Sequence, residues 1–311
     1  MIECVPNFSE GRDPAVIELL IDAISSVPGI GILDRTSDPD HNRTVITFAG
    51  EADAVVEASV RAAAQALRSI DLNRHRGVHP RLGALDVLPF VPLGDSRLEQ
   101  CVELAHRAGQ RISSELGIPV YFYEAAALRP ERTRLENARR AGFEVVRLEA
   151  VRLEPVRESS SGDPIYQPDL GGPALHPTAG AAVVGARKLL VAFNINLQSN
   201  DLAAAQDIAR RIRASNAGFA GVKALGLRLE SRGLVQVSMN ITSFELAPLP
   251  VVYTEVARLA RGKGIELAES ELVGLIPRDA LKGTSPDALG LRSFDPQRVL
   301  ENRLETVFGP A

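Results

Sequence analysis

Two short stretches concentrate the residues able to move protons or hold charge. The first is Asp34-Arg35-Thr36-Ser37-Asp38-Pro39-Asp40-His41-Asn42-Arg43-Thr44, with acids, a histidine, an amide and an arginine in one connection between two apolar runs. The second is Asn73-Arg74-His75-Arg76-Gly77-Val78-His79-Pro80-Arg81-Leu82-Gly83, with two of the five histidines. A histidine titrates near neutral pH, so it can take a proton and return it. Arginines beside it suit a carboxylate-bearing substrate. Plainer readings stand next to these. Asp, Asn and Pro favour turns for local reasons, and the second stretch also suits a solvated basic loop. Gly77 and Pro80 rule out a regular helix there, so His75 and His79 are not a helical i,i+4 metal pair. With no cysteine nearby, zinc is disfavoured.

These loops need elements to hold them. Residues 2–7 read as a strand. Residues 14–27 read as a helix, with Asp13 as its N-cap and Pro14 in its first turn. Residues 29–34 and 43–49 read as strands, 52–70 as a helix and 84–93 as a strand whose prolines suggest an edge or an irregular end. The order β-α-β-β-α-β returns at 189–197, 201–214, 223–230, 234–242, 250–262 and 265–276. It is the order of the ferredoxin-like split unit. Between the two runs lie a helix (96–115), a strand (119–124) and a helix (129–140). Residues 149–177 lack periodicity; 152–163 read as linker, whereas 171–180 carry no charge and suit close packing. The predicted class is α+β in two domains, residues 1–178 and 179–311. In the strand at 189–197, Val191, Phe193, Ile195 and Leu197 share one face, and Asn194 and Asn196 share the other. Ser238 and Asn240 repeat the pattern, which predicts an uncharged polar sheet face. Such a face suits a polar ligand or a second sheet as well as solvent.

Composition narrows the classes. The chain has 311 residues, 35 basic and 39 acidic. That balance argues against a nucleic-acid protein, and the absence of tryptophan against a stacking platform. All but four of the basic residues are arginine. No apolar run is long enough to span a membrane, and the start lacks a secretory pattern. Cys4 and Cys101 are too few for a disulfide framework. The expected compartment is the cytoplasm. Phosphate-loop, dinucleotide and hydrolase-elbow patterns are absent.

Four longer motifs can be set beside a known family. They are Cys4-Val5-Pro6-Asn7-Phe8-Ser9-Glu10-Gly11-Arg12; Asp38-x-Asp40-His41-Asn42-Arg43-Thr44-Val45; the run from His75 through His79-Pro80-Arg81-x-Gly83-Ala84 and Asp86-Val87 to Pro92; and His176-Pro177-Thr178-x-Gly180-Ala181 with Gly185-Ala186-Arg187-Lys188 and Ala192-Phe193-Asn194-x-Asn196-Leu197. In these the chain resembles the glutamate formimidoyltransferases (formiminotransferases). The resemblance implies transfer of the formimino group from N-formimino-L-glutamate to N5 of tetrahydrofolate, in histidine degradation. It implies two ferredoxin-like subdomains whose sheets face each other across a folate-binding tunnel, and a homodimer. It places the catalytic histidine on His79. It places the folate-binding segment on Gly171-Gly172-Pro173-Ala174-Leu175-His176-Pro177-Thr178-Ala179-Gly180. The animal proteins carry a cyclodeaminase domain; here a separate cyclodeaminase is expected downstream.

The chemistry agrees with the residues. Group transfer between two nitrogens passes through a tetrahedral adduct, in which one nitrogen loses a proton and the other gains one. One histidine can serve both steps, and no metal is required. Asp38 or Asp40 is expected to orient the cationic formimino group. Arg43, Arg81 and Arg187 are expected on substrate carboxylates, with Asn7, Asn42, Asn194 and Asn196 as further polar contacts. Two alternatives stay open at this level: formyl transfer between 5-formyltetrahydrofolate and glutamate, and folate binding without turnover.

Overall fold

The computed structural model describes residues 1–138, 142–143, 167–172 and 174–310. Pro173 and the expected linker at 152–163 lie outside the described residues. The chain divides into two compact units, Met1–Lys188 and Leu189–Ala311.

In the first unit, β1 (Ile2–Cys4) and β2 (Asn7–Phe8) form one interrupted strand. After it come α1 (Pro14–Ser25), β3 (Gly31–Asp38), β4 (Arg43–Gly50), α2 (Ala52–Ser69) and β5 (Leu85–Pro92). Asp13 caps α1 by accepting from the Ala15 N–H, as its position predicts. The interrupted strand lies between β4 and β5, antiparallel to both, and β3 lies outside β4. Two strands then extend the sheet beyond β5. α3 (Leu98–Leu116) leads to β6 (Val120–Glu124), and β7 (Ala182–Ala186) inserts between β5 and β6, parallel to both. β7 is hydrogen-bonded into this sheet, so the first unit runs past Thr178, the boundary expected from sequence.

Two expectations need correction. β5 is an interior strand despite its prolines. Pro89 lies opposite the break between β1 and β2, where only its carbonyl is used, accepting from the Val5 N–H at 3.3 Å. Residues 129–138 are not one helix: a 3-10 turn at Pro130–Thr133 is followed by extended Arg134, and Leu135–Ala138 is helical; residues 139 and 140 of the expected helix lie outside the described residues.

In the second unit, β8 (Val191–Leu197), α4 (Leu202–Ile212), β9 (Val222–Leu229), β10 (Leu234–Ile241), α5 (Leu249–Arg261) and β11 (Leu267–Val273) build an antiparallel sheet in the order β11-β8-β10-β9. Val191, Phe193, Ile195 and Leu197 join Val235, Val237, Met239 and Ile241 in the core beneath the helices. The opposite face is polar but not uncharged. β11 brings Glu271 across from Asn194 and Glu269 across from Asn196.

Candidate active site

The two chemistry-bearing loops meet at the end of β3 and β4. A tight turn joins those strands. Asp38 makes it by accepting from the backbone N–H groups of Asp40 and His41, each at 2.8 Å. Asn42 follows in the left-handed region at φ 47°, which asparagine tolerates better than most residues. Its side chain accepts from the Gly11 N–H at 2.9 Å and donates to the Arg76 carbonyl at 3.0 Å. Its own carbonyl meets Nε2 of buried His75 at 2.8 Å. One asparagine thus ties the opening motif, the turn and the histidine loop. The backbones approach so closely that a Cβ on Gly77 would collide with the His41 carbonyl, and one on Gly11 with Asp38 and Arg43.

This stapling brings His41 and His79 together, with ring centroids 5.9 Å apart. Nδ1 of His79 bonds the Pro80 carbonyl at 2.8 Å. In the neutral ring that bond makes Nδ1 the N–H donor and Nε2 the basic nitrogen. Burial, and then the nearby Arg81 charge, hold the His75 pKa below its ordinary value. Its Nδ1 is buried without a hydrogen-bond partner among the described residues. His75 therefore supports the loop as a neutral side chain. Leu72, Asn73, His75, Arg76, Gly77, Arg81 and Phe143 line a cavity of about 320 Å³ beside it.

Other expected residues take scaffold roles. Arg43 donates to Asn7 Oδ1 and, at 2.7 Å, to Asp86 Oδ2. Asp86 is fully buried and also accepts from the Leu82 N–H at 2.7 Å. Asn7, Arg43 and Asp86 thus clamp the far end of the His79 loop to the sheet. Arg81 donates to the His75 carbonyl. Arg187 lies elsewhere. Its N–H bonds the Phe90 carbonyl, and Phe90 pairs with Cys4, which pairs with Phe48, about 17 Å along β4 from Arg43 at roughly 3.3 Å per residue. Its charge there lies near Glu3.

The segment expected to bind folate flanks the histidine loop. Leu72 N–H bonds the Thr178 carbonyl and Ala84 N–H bonds the Ala179 carbonyl, both at 2.9 Å, so the segment touches the loop before and after His79. His176 and Gly180 exchange two backbone bonds. Nδ1 of His176 accepts from the Ala179 N–H at 3.1 Å, and burial lowers its pKa. Leu175, Ala179 and Gly180 are buried in this packing, whereas Gly171, Gly172, Ala174 and Pro177 are exposed. A Cβ on Gly180 would collide with the Leu82 carbonyl.

Comparison with known proteins adds the decisive observation. The model of the formiminotransferase domain's N-terminal subdomain matches residues 1–187, and that of the formiminotransferase domain matches residues 192–285. The chain belongs to the formiminotransferase family. Its relatives in that family include proteins named glutamate formimidoyltransferase. The one from Thermoplasma acidophilum is 42% identical over 98% of this chain and 97% of its own length. The one from Streptococcus pyogenes serotype M1 is 41% identical over 98% of each. The formimidoyltransferase-cyclodeaminase of Gallus gallus is 43% identical over 90% of this chain but only 51% of its own length. Within this formiminotransferase chain, sequence reasoning passed over His41 as a site residue, although its place in the first cluster signalled it. It also passed over the carboxylates that β11 sets across from Asn194 and Asn196. The alternation of Glu269 and Glu271 along β11 was the available signal.

Proposed function

We propose that the chain is a glutamate formimidoyltransferase, moving the formimino group of N-formimino-L-glutamate to N5 of tetrahydrofolate and releasing L-glutamate. The observation that carries the reading is the His79 ring, held through Nδ1 with Nε2 basic, in a loop fixed from both sides. N5 of the folate attacks the formimino carbon. The resulting tetrahedral adduct has a cationic N5 and a glutamate nitrogen that must leave. His79 Nε2 takes the N5 proton and gives it to the glutamate nitrogen. The C–N bond to glutamate then breaks, and the formimino group stays on N5. The protons balance without a metal. Asp40, at the tip of the turn beside His41, is the loop carboxylate proposed to face the cationic group; Asp38 is committed to the turn. The exposed part of the 171–180 segment is proposed to meet the folate. On their strand order we read both β-α-β-β-α-β sheets as ferredoxin-like. No described helix is long and apolar enough to cross a membrane. A cytoplasmic homodimer follows from the resemblance.

His79→Ala tests the reading. Proton transfer by a positioned side chain contributes about 10²–10⁴-fold. Formimino transfer, followed as 5-formiminotetrahydrofolate, should fall by that factor while circular dichroism stays unchanged. Near-normal turnover in a folded variant would remove His79 from the mechanism.

A further inference from the structure

The polar face of the second sheet carries side chains that the steps above do not use. Cross-strand register sets Glu269, Asn196 and Gln236 in one row and Glu271, Asn194 and Ser238 in the next. Asn196 and Gln236 are fully buried and bonded within this set. Gln236 Nε2 donates to Asn196 Oδ1 at 2.9 Å and to Glu271 Oε2 at 3.1 Å. Asn196 Nδ2 donates to Glu271 Oε1 at 2.8 Å. Arg232, in the 3-10 turn Glu230–Arg232, also donates to Oε1. Both oxygens of Glu271 are therefore aimed by protein donors, yet its side chain keeps 24% of its exposure.

Asn194, directly across from Glu271, is treated differently. It is only 4% exposed, and its amide bonds no group among the described residues. A ligand at this position can supply the donor and acceptor partners that the sheet does not. The two asparagines of one strand thus have separate tasks. Asn196 positions the carboxylate, and Asn194 stands ready beside it.

We propose that Glu271 and Asn194 form a subsite for a planar N–C–N group with two N–H donors on one edge. Oε2 keeps one lone pair for such an edge, and Oε1 accepts the second N–H in place of the half-exposed Arg232 guanidinium; the asparagine amide, donor and acceptor at once, meets a neighbouring polar atom. The proposal rests on the formimidoyltransferase reading, in which two molecules carry this edge. One is the formamidinium of N-formimino-L-glutamate. The other is the N3–H and 2-amino edge of the tetrahydropterin.

Calorimetric titration separates the sources. Wild type, Asn194→Ala and Glu271→Gln are titrated with N-formimino-L-glutamate, with 5-formyltetrahydrofolate as a stable folate, and with N-formyl-L-glutamate, which lacks the second nitrogen. Asn194→Ala breaks no internal bond, so its fold should match wild type. It should weaken one of the two N–C–N ligands roughly 5–10-fold. Glu271→Gln should weaken the same ligand by about 10–100-fold, with N-formyl-L-glutamate unchanged. The ligand that weakens names the source. Affinities within twofold of wild type for both N–C–N ligands in Asn194→Ala would overturn the subsite. Equal weakening of all three ligands would overturn it too, marking a general disturbance of the sheet. If wild type turns over no formimino donor, the functional reading fails first. Turnover by wild type with unaffected variants sinks the subsite alone.

Discussion

At the strand ends of the first unit, polar side chains bond to loop backbone; on the sheet face of the second, they bond to one another. Asn42 reaches two other loops, Asp38 holds two N–H groups, and Asp86 holds Arg43 and the Leu82 N–H. Loops lack ladder partners, so their backbone groups turn to side chains, to other loop backbone or to water. A density of polar residues there measures how much stapling the loops need. On β8, β10 and β11 the ladder already satisfies the backbone. Side chains are then free to pair across strands, and one without a side-chain bond among the described residues, such as Asn194, stands out. Motif density and ligand contact are therefore different quantities in the two units.

The sharpest contrast is between two arginines. Arg43 keeps 11% of its side-chain exposure against fully buried Asp86, whereas Arg232 keeps 36% against Glu271. Removing one partner of a buried pair strands the other, at about 3–5 kcal/mol. An exposed pair contributes about 0–1 kcal/mol. Arg43→Ala should therefore lower unfolding stability by about 3–5 kcal/mol in urea titrations, and Arg232→Ala by under about 1 kcal/mol. Equal losses would erase the distinction between clamp and surface pair.

Glu3 is the exception within the first sheet. It lies mid-strand on β1, 4% exposed, and burial raises its pKa from 4.5 to about 7, with Arg187 only partly opposing. A carboxyl raised in the folded state contributes stability that is fully present below its unfolded value and is lost as pH rises through the folded one. The shift corresponds to about 3 kcal/mol. Glu3→Gln should thus be up to about 3 kcal/mol more stable than wild type at pH 8, with most of the gain gone by pH 5. A gain independent of pH would mean that Glu3 is already satisfied, as Glu271 is.

Much of this architecture was legible because strand alternation is local. The faces of β8 and β10 follow from period two, and Asp13 announces α1. β7 was not legible. The run from Ala181 to Ala186 is short, has no period, and becomes a strand only by inserting between β5 and β6. Pro89 suggested an edge because its partner's break at Val5-Pro6 was not yet aligned with it. In the site, the two clusters were legible by residue type. Their roles were not, since Asp38 serves equally well as an acid or as a turn-maker until its acceptor bonds are known. Asn194 and Asn196 read alike for the same reason: what separates them lies on β11 and the Arg232 turn, distant in sequence.

The smallest effect concerns His75, a buried support of the histidine loop. Burial holds its pKa below the ordinary value, with Arg81 and Arg12 acting in the same direction and the Asn42 carbonyl and Glu10 opposing. A histidine depressed in the folded state contributes stability present above its unfolded value, near pH 6.5, and lost as pH falls below it. Protonation then favours the unfolded chain. Wild-type urea midpoints should decline from pH 7 to pH 5. His75→Gln, which can still donate to the Asn42 carbonyl but cannot titrate, should flatten that part of the curve. An unchanged slope would show that the acid sensitivity of this loop lies in another group, and His75 would join Asn42 as a purely geometric staple.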